Sequence, residues 1–171
     1  AEFNNNEQTF DFVLTNNNKI FLAQLNGLQI YNCNSGQFES TITNANYIDL
    51  EYDPVNDIVY ALNYGEPPDE SLDQVLYRFN PASPGSPEIV ETLNYYVSSI
   101  KFIENTRTLL AYSPFDYEDQ NLLEAKLFCF EVDNNHALQE IAWEQYGLGK
   151  LLRFNALHFD IVYAHKNNKV Y

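Results

Sequence analysis

The stretch Tyr47-Ile-Asp-Leu-Glu-Tyr-Asp-Pro-Val-Asn-Asp-Ile-Val-Tyr-Ala61 decides how the rest of the chain is read. Its first residues alternate in part between apolar and polar. Asp53-Pro-Val-Asn-Asp57 is turn material, and Ile58-Val-Tyr-Ala61 is an apolar run too short for a helix. Two strands joined by a polar turn follow. The pattern returns in Tyr96-Val-Ser-Ser-Ile-Lys-Phe-Ile-Glu-Asn-Thr-Arg-Thr-Leu-Leu-Ala111 and in Gly149-Lys-Leu-Leu-Arg-Phe-Asn-Ala-Leu-His-Phe-Asp-Ile-Val-Tyr-Ala164. An earlier copy is Phe10-Asp-Phe-Val-Leu-Thr-Asn-Asn-Asn-Lys-Ile-Phe-Leu-Ala23. Aligned on their final alanines, at 23, 61, 111 and 164, the copies are 38, 50 and 53 residues apart. Self-similarity at that period marks a repeat architecture.

Each of the first three copies continues into two more strand-like stretches. They are Gly27–Cys33 and Gln37–Ile42, then Gln74–Phe79 and Glu88–Leu93, then Lys126–Val132 and Leu138–Trp143. Turn residues stand between them: Asn34-Ser-Gly36, a Pro- and Ser-rich run, and Asp133-Asn-Asn135. No window of helical length carries a 3.6-residue apolar period with caps at both ends.

Asp53-Pro-Val-Asn-Asp-Ile-Val-Tyr-Ala61 resembles the strand-turn-strand of WD-repeat-like and YVTN-type β-propellers. Gly27-Leu-Gln-Ile-Tyr-Asn-Cys-Asn-Ser-Gly-Gln-Phe-Glu-Ser-Thr-Ile42 resembles their third and fourth strands. The resemblance covers nearly the whole chain. It is one of pattern, without the Gly-His and Trp-Asp pairs of WD repeats or the double glycine of kelch repeats. It implies an all-β fold, a β-propeller fragment of about three and a half four-stranded antiparallel blades. The blades are expected at 10–42, 48–93, 97–143 and 149–171, in a single domain. The remaining blades are expected in the same chain or another, because an open propeller leaves a sheet edge and apolar faces uncovered.

Composition agrees with a packed β-domain. The chain has 171 residues, 45% of them apolar and 15% aromatic, with 13 Tyr and 12 Phe. Nine Lys and Arg against 24 Asp and Glu give a net charge of −15, which argues against nucleic acid and anionic membranes as partners. No apolar run approaches the roughly 18 residues of a membrane helix. Met is absent, and Ala1-Glu2-Phe3 contributes nothing to the fold argument. Cys33 and Cys129 are expected on the same strand position of non-adjacent blades, unpaired. Secreted and cytoplasmic locations both stay open.

The unequal spacing locates the candidate site. The first copy joins its second and third strands through about two residues. The second inserts Asn63-Tyr-Gly-Glu-Pro-Pro-Asp-Glu-Ser-Leu-Asp73, and the third inserts Ser113-Pro-Phe-Asp-Tyr-Glu-Asp-Gln-Asn-Leu-Leu-Glu124. Each insert carries four acids and no base: Glu66, Asp69, Glu70 and Asp73, then Asp116, Glu118, Asp119 and Glu124. Tyr64, Phe115 and Tyr117 add aromatic surface. Repeat proteins place insertions on binding faces, so these loops are expected to form an acidic platform for a protein partner, basic in character. Solvated loops kept acidic for solubility are the plainer alternative, and a calcium site lacks the spaced Asp-X-Asp-X-Asp-Gly pattern.

Catalytic constellations are poor. His136, His158 and His165 fall in predicted turns or strand ends without metal spacing, and neither a nucleophile elbow nor a phosphate-binding glycine loop occurs. Asp49, on a predicted innermost strand, is a lone acid, and Tyr95, Tyr96 and Tyr146 are expected to pack between blades. The chain therefore reads as a non-catalytic module for protein binding or assembly, with no cofactor and no metal. The alternatives are a propeller hydrolase or quinoprotein-type oxidoreductase with its active site in blades outside this sequence, or an extracellular structural protein.

Overall fold

The computed structural model describes residues 8–65, 74–93, 96–113, 126–133, 138–141, 163–164 and 169–170. They form three four-stranded antiparallel sheets and a two-stranded pair, which is the bladed all-β architecture of a propeller fragment. The first sheet runs β1 (Thr9–Leu14), β2 (Lys19–Gln24), β3 (Gly27–Asn32) and β4 (Phe38–Ile42). The second runs β5 (Tyr47–Asp53), β6 (Ile58–Asn63), β7 (Gln74–Phe79) and β8 (Glu88–Leu93). The third runs β9 (Ser99–Ile103), β10 (Thr108–Ser113), β11 (Lys126–Val132) and β12 (Leu138–Ile141). The strands β13 (Tyr163–Ala164) and β14 (Lys169–Val170) pair with each other. In every sheet the strands lie side by side in chain order. The described helical structure is one 3₁₀ turn, Glu104–Thr106.

The second strand of each sheet is the most apolar because it is covered on both faces. All of Ile58-Val-Tyr-Ala-Leu62 is buried, as are Phe21, Leu22 and Ala23 of β2 and Leu109, Leu110 and Ala111 of β10. Both residue parities must then be apolar, and alternation disappears from the sequence. The outermost strands β4 and β8 keep Phe38, Glu39 and Ile89 exposed.

Turn chemistry recurs with the repeat. Asn18, Asp57 and Arg107 all take left-handed φ, at 60°, 53° and 54°, and each immediately precedes a second strand. Asn and Asp accept that region at small cost, whereas Arg107 sits there with its guanidinium 5.1 Å from the Phe102 ring centre. Asx turns close the hairpins: Asp53 Oδ1 accepts the Val55 and Asn56 amides, and Asn32 Oδ1 accepts those of Asn34 and Ser35. Ala82 donates to Asn80 Oδ1 in the same way.

These turns correct the alignment on final alanines. Ala61 and Ala111 each stand four residues beyond the left-handed turn residue, but Leu22 holds that place after Asn18. Ala23 is one position further and points to the opposite side of its sheet, because side chains alternate. The turn of β1 and β2 is one residue shorter than the other two, which conceals the offset. The cysteines are corrected likewise. Cys129 is buried inside β11, while Cys33 lies exposed in the turn after β3, which Asn32 ends with its Asx contacts. Both thiols are free, and they do not occupy equivalent positions.

The chain divides into two compact units, the first holding β1 to β8 and the second beginning at Leu93. Within the first, two sheets share one core. Phe21, Ala23, Leu28, Ile30 and Ile42 of the first sheet meet Tyr47, Leu50, Val59, Ala61 and Phe79 around the second, with Val13, Tyr52 and Tyr77 packed against them. Tyr47 stacks edge-on to Tyr77 and Phe79, both at 5.8 Å. Each fully buried Leu, Ile or Phe there contributes about 1.5–3 kcal/mol by leaving water. In the second unit, Ile103, Leu110, Leu127 and Cys129 form a smaller cluster on one face of the third sheet.

Candidate functional site

The two acidic inserts occupy the same connection in their sheets, from second strand to third. The first leaves β6 at Asn63 and rejoins at Gln74, and the second leaves β10 at Ser113 and rejoins at Lys126. In the first sheet the same connection is the two-residue turn Leu25-Asn26, closed by Gly27 at φ 128°. A Cβ on Gly27 would lie 2.1 Å from the Ile42 carbonyl oxygen, so only glycine fits that turn.

The roots of the first insert are firmly held. Gln74 is buried and donates from Nε2 to the Asn63 carbonyl at 3.1 Å, while the Val75 amide donates to Asn63 Oδ1. Gly65 is buried against the Gln74 side chain, where a Cβ would approach to 2.9 Å. The Tyr64 amide donates to the Asn46 carbonyl at 2.7 Å, leaving the Tyr64 ring at the surface. In the third sheet Ser113 pairs with Lys126 in register, with Ser113 buried. Rigid strands and paired ends thus fix where each loop begins and stops. The candidate residues themselves, Glu66, Asp69, Glu70, Asp73, Asp116, Tyr117, Glu118, Asp119 and Glu124, lie outside the described residues. So do Phe115, His136, His158, His165, Tyr95 and Tyr146, while Tyr96 is half-buried.

The structure adds a residue that the sequence reading passed over. Asp11 Oδ2 accepts the Leu50 amide at 2.8 Å, which ties the first strand of one sheet to the first strand of the next. Asp49, the lone acid on β5, accepts the same amide through Oδ1 at 3.0 Å. Both acids follow a β-bulge, between Thr9 and Asp11 in β1 and between Tyr47 and Asp49 in β5. The shared apolar-Asp-apolar signature, Phe10-Asp-Phe12 and Ile48-Asp-Leu50, was the available signal. A second tie joins the turns. The Asn16 amide donates to the Tyr52 hydroxyl, which donates to Asp57 Oδ1 at 2.7 Å, and Asn16 Nδ2 donates to the Pro54 carbonyl. Asp49 and Asp11 are therefore half-buried joint residues.

The groups with displaced proton affinity are shifted toward their neutral forms. Burial pushes the Cys129 thiol up to about 11 and raises the Tyr47 and Tyr112 phenols. Burial, aided by the Asp57 and Asp53 carboxylates and opposed by the Asn16 amide, pushes Tyr52 up to about 12. A thiol held protonated is a poor nucleophile. Among the described residues no group of three His, Cys, Asp or Glu side chains is placed to hold a metal ion, and no helix is long and apolar enough to cross a membrane.

No protein-family profile and no curated protein matches the sequence. Solved structures do match in fold. The mitotic checkpoint complex matches 79% of this chain at 13% identity and TM-score 0.57, over 38% of the matched chain. The extracellular domain of a putative one-component system from B. thetaiotaomicron matches 98% at 19% identity and TM-score 0.59, over 20% of that chain. The tricorn protease matches 76% at 13% identity and TM-score 0.52, over 14% of that chain. The present sequence thus spans a minor share of each matched chain. At these identities the likeness concerns fold alone, and it agrees with the bladed sheets.

Proposed function

We propose that this chain is a propeller module that binds a protein partner through the acidic inserts 63–73 and 113–124. In this reading the blades 10–42, 48–93, 97–143 and 149–171 belong to one propeller, and the inserts are its recognition loops. One observation carries the proposal. The second and third sheets extend the same connection, which the first sheet closes with two residues, and each extension adds four acids and no base. A partner with clustered Lys or Arg would be attracted over the screening length of about 10 Å at 0.1 M salt and held by aromatic contact at Tyr64 and Tyr117.

The test uses a Lys- and Arg-rich peptide as probe. Replacing Glu66, Asp69, Glu70 and Asp73 with their amides should weaken its binding about tenfold at low salt, with the loss shrinking as salt rises. A control variant with Glu91, Glu104, Glu131 and Asp133 neutralised carries the same change in net charge. Equal weakening by both variants would show that the whole acidic surface attracts the peptide, and the insert reading would fail.

A further inference from the structure

The joint between the first two sheets defines two kinds of face. One is the face of the first sheet that carries Phe21, Ala23, Leu28 and Ile30. The other is the face of the second sheet it covers, carrying Leu50, Val59, Ala61 and Phe79 with Tyr52 and Tyr77. In ladder register the second face reads Leu50 opposite Ala61 opposite Tyr77, and Tyr52 opposite Val59 opposite Phe79. The first sheet repeats this layout on its own other face. Phe12 stands opposite Leu22 and then Gln29, and Leu14 opposite Ile20, Tyr31 and then Phe38. The left-handed residues Asn18 and Asp57 confirm the equivalence, since Ile20 and Val59 each lie two residues beyond them.

What differs is the cover. Leu50 and Phe79 are each 1% exposed, whereas Phe12 is 65%, Leu14 52% and Phe38 55% exposed. No charged residue stands at these positions of the first sheet, in a chain whose net charge is −15. The polar groups of the face satisfy each other: the Tyr31 hydroxyl donates to Gln29 Oε1 at 2.8 Å, and the Tyr31 ring meets Phe38 edge-on at 5.5 Å. Such a surface asks nothing of a partner except apolar area.

We propose that this face seats a further four-stranded sheet of the same repeat, carried by the same polypeptide outside these 171 residues. Three observations fix the occupant. Only a face of small and aliphatic side chains is seen to cover an equivalent layout, which is the contribution of Phe21, Ala23, Leu28 and Ile30 at the known joint. A charged peptide finds no counter-charge here. A second copy cannot offer the complementary face from its own first sheet, because its second sheet already covers it. The incoming sheet should also carry an acceptor side chain at its first-strand bulge, as Asp11 does, aimed at the Phe12 amide, which corresponds to that of Leu50. It needs no hydroxyl partner at its first turn, since Leu14 replaces Tyr52.

Thiol labelling with N-ethylmaleimide tests this in two proteins: the 171-residue chain and the uninterrupted product of its gene. In the short chain the thiols of Phe12→Cys and Leu14→Cys should react within about fivefold of Cys33, which is exposed. In the whole gene product they should react at least about a hundredfold more slowly, with Cys33 unchanged, because labelling then requires local opening. Unchanged rates at both positions would overturn the proposal. So would protection already present in the short chain that rises with its concentration alongside a doubled mass in light scattering, since a second copy would then be the cover. If either variant fails to fold, hydroxyl-radical footprinting of the native Phe12 and Phe38 rings reads the same protection without substitution.

Discussion

The first and second sheets share strand order, bulge, turn residue and ladder register, yet they treat equivalent positions in opposite ways. Leu50 and Val59 lie in a closed core, while Phe12 and Leu14, in the same places on their own sheet, face outward. Side-chain type alone does not separate the two sets, since all are large and apolar. Cover separates them. An apolar ladder stabilises this fold only where a second sheet meets it, and the joint is therefore the energetic unit rather than the sheet.

Core truncation should break this comparison most sharply. Leu50→Ala should cost about 2–5 kcal/mol and Phe79→Ala about 3–5 kcal/mol in denaturant unfolding, through lost burial and the cavity left behind. Phe12→Ala in the 171-residue chain should cost less than about 1 kcal/mol, because that ring already meets water. Comparable losses at Phe12 and Leu50 would mean that the outer face is covered.

The polar tie at the bulge comes next. Asp11→Ala should cost about 1–2 kcal/mol by removing an acceptor of the Leu50 amide, with Asp49 remaining as the second. Asp11→Asn should recover part of the loss. Identical stability in all three proteins would reduce the tie to a bystander of side-chain packing.

The smallest expected effect is at the turns. Tyr52→Phe should cost about 0.5–1.5 kcal/mol by breaking the Asn16–Tyr52–Asp57 chain. Its pH signature is specific. The folded phenol titrates near 12, above its ordinary value of 10. The stabilisation it provides is therefore complete below about pH 10 and is lost as pH rises toward 12. Unfolding measured across that window should show a shallower decline for Tyr52→Phe than for the parent chain, and equal slopes would exclude this linkage.

Much of this fold was legible because the period of the pattern and the turn residues agreed. Gln74–Phe79, Glu88–Leu93 and Lys126–Val132 are strands as read from their alternation and flanking turns. The alignment of the first copy was not legible from its final alanine. A turn shortened by one residue moves every later side chain to the other face, and only the backbone angle at Asn18 reveals it. The acidic inserts were visible as excess length at one connection, and their anchoring at Asn63 and Gln74 was not, because a buried amide hydrogen bond leaves no compositional trace. Asp11 escaped notice for the opposite reason. An acid on a strand looks like solvent-facing alternation until a neighbouring sheet brings the Leu50 amide to it.

The pairing of every strand with its immediate neighbour in the chain bears on synthesis. Each sheet needs only the few dozen residues that encode it, so it can assemble while later residues are still being added at the ribosome. The bond from Asp11 to Leu50, spanning 39 positions, cannot form until the next sheet has begun. Birth order and joint order therefore coincide, and each finished sheet becomes the template on which the following one closes.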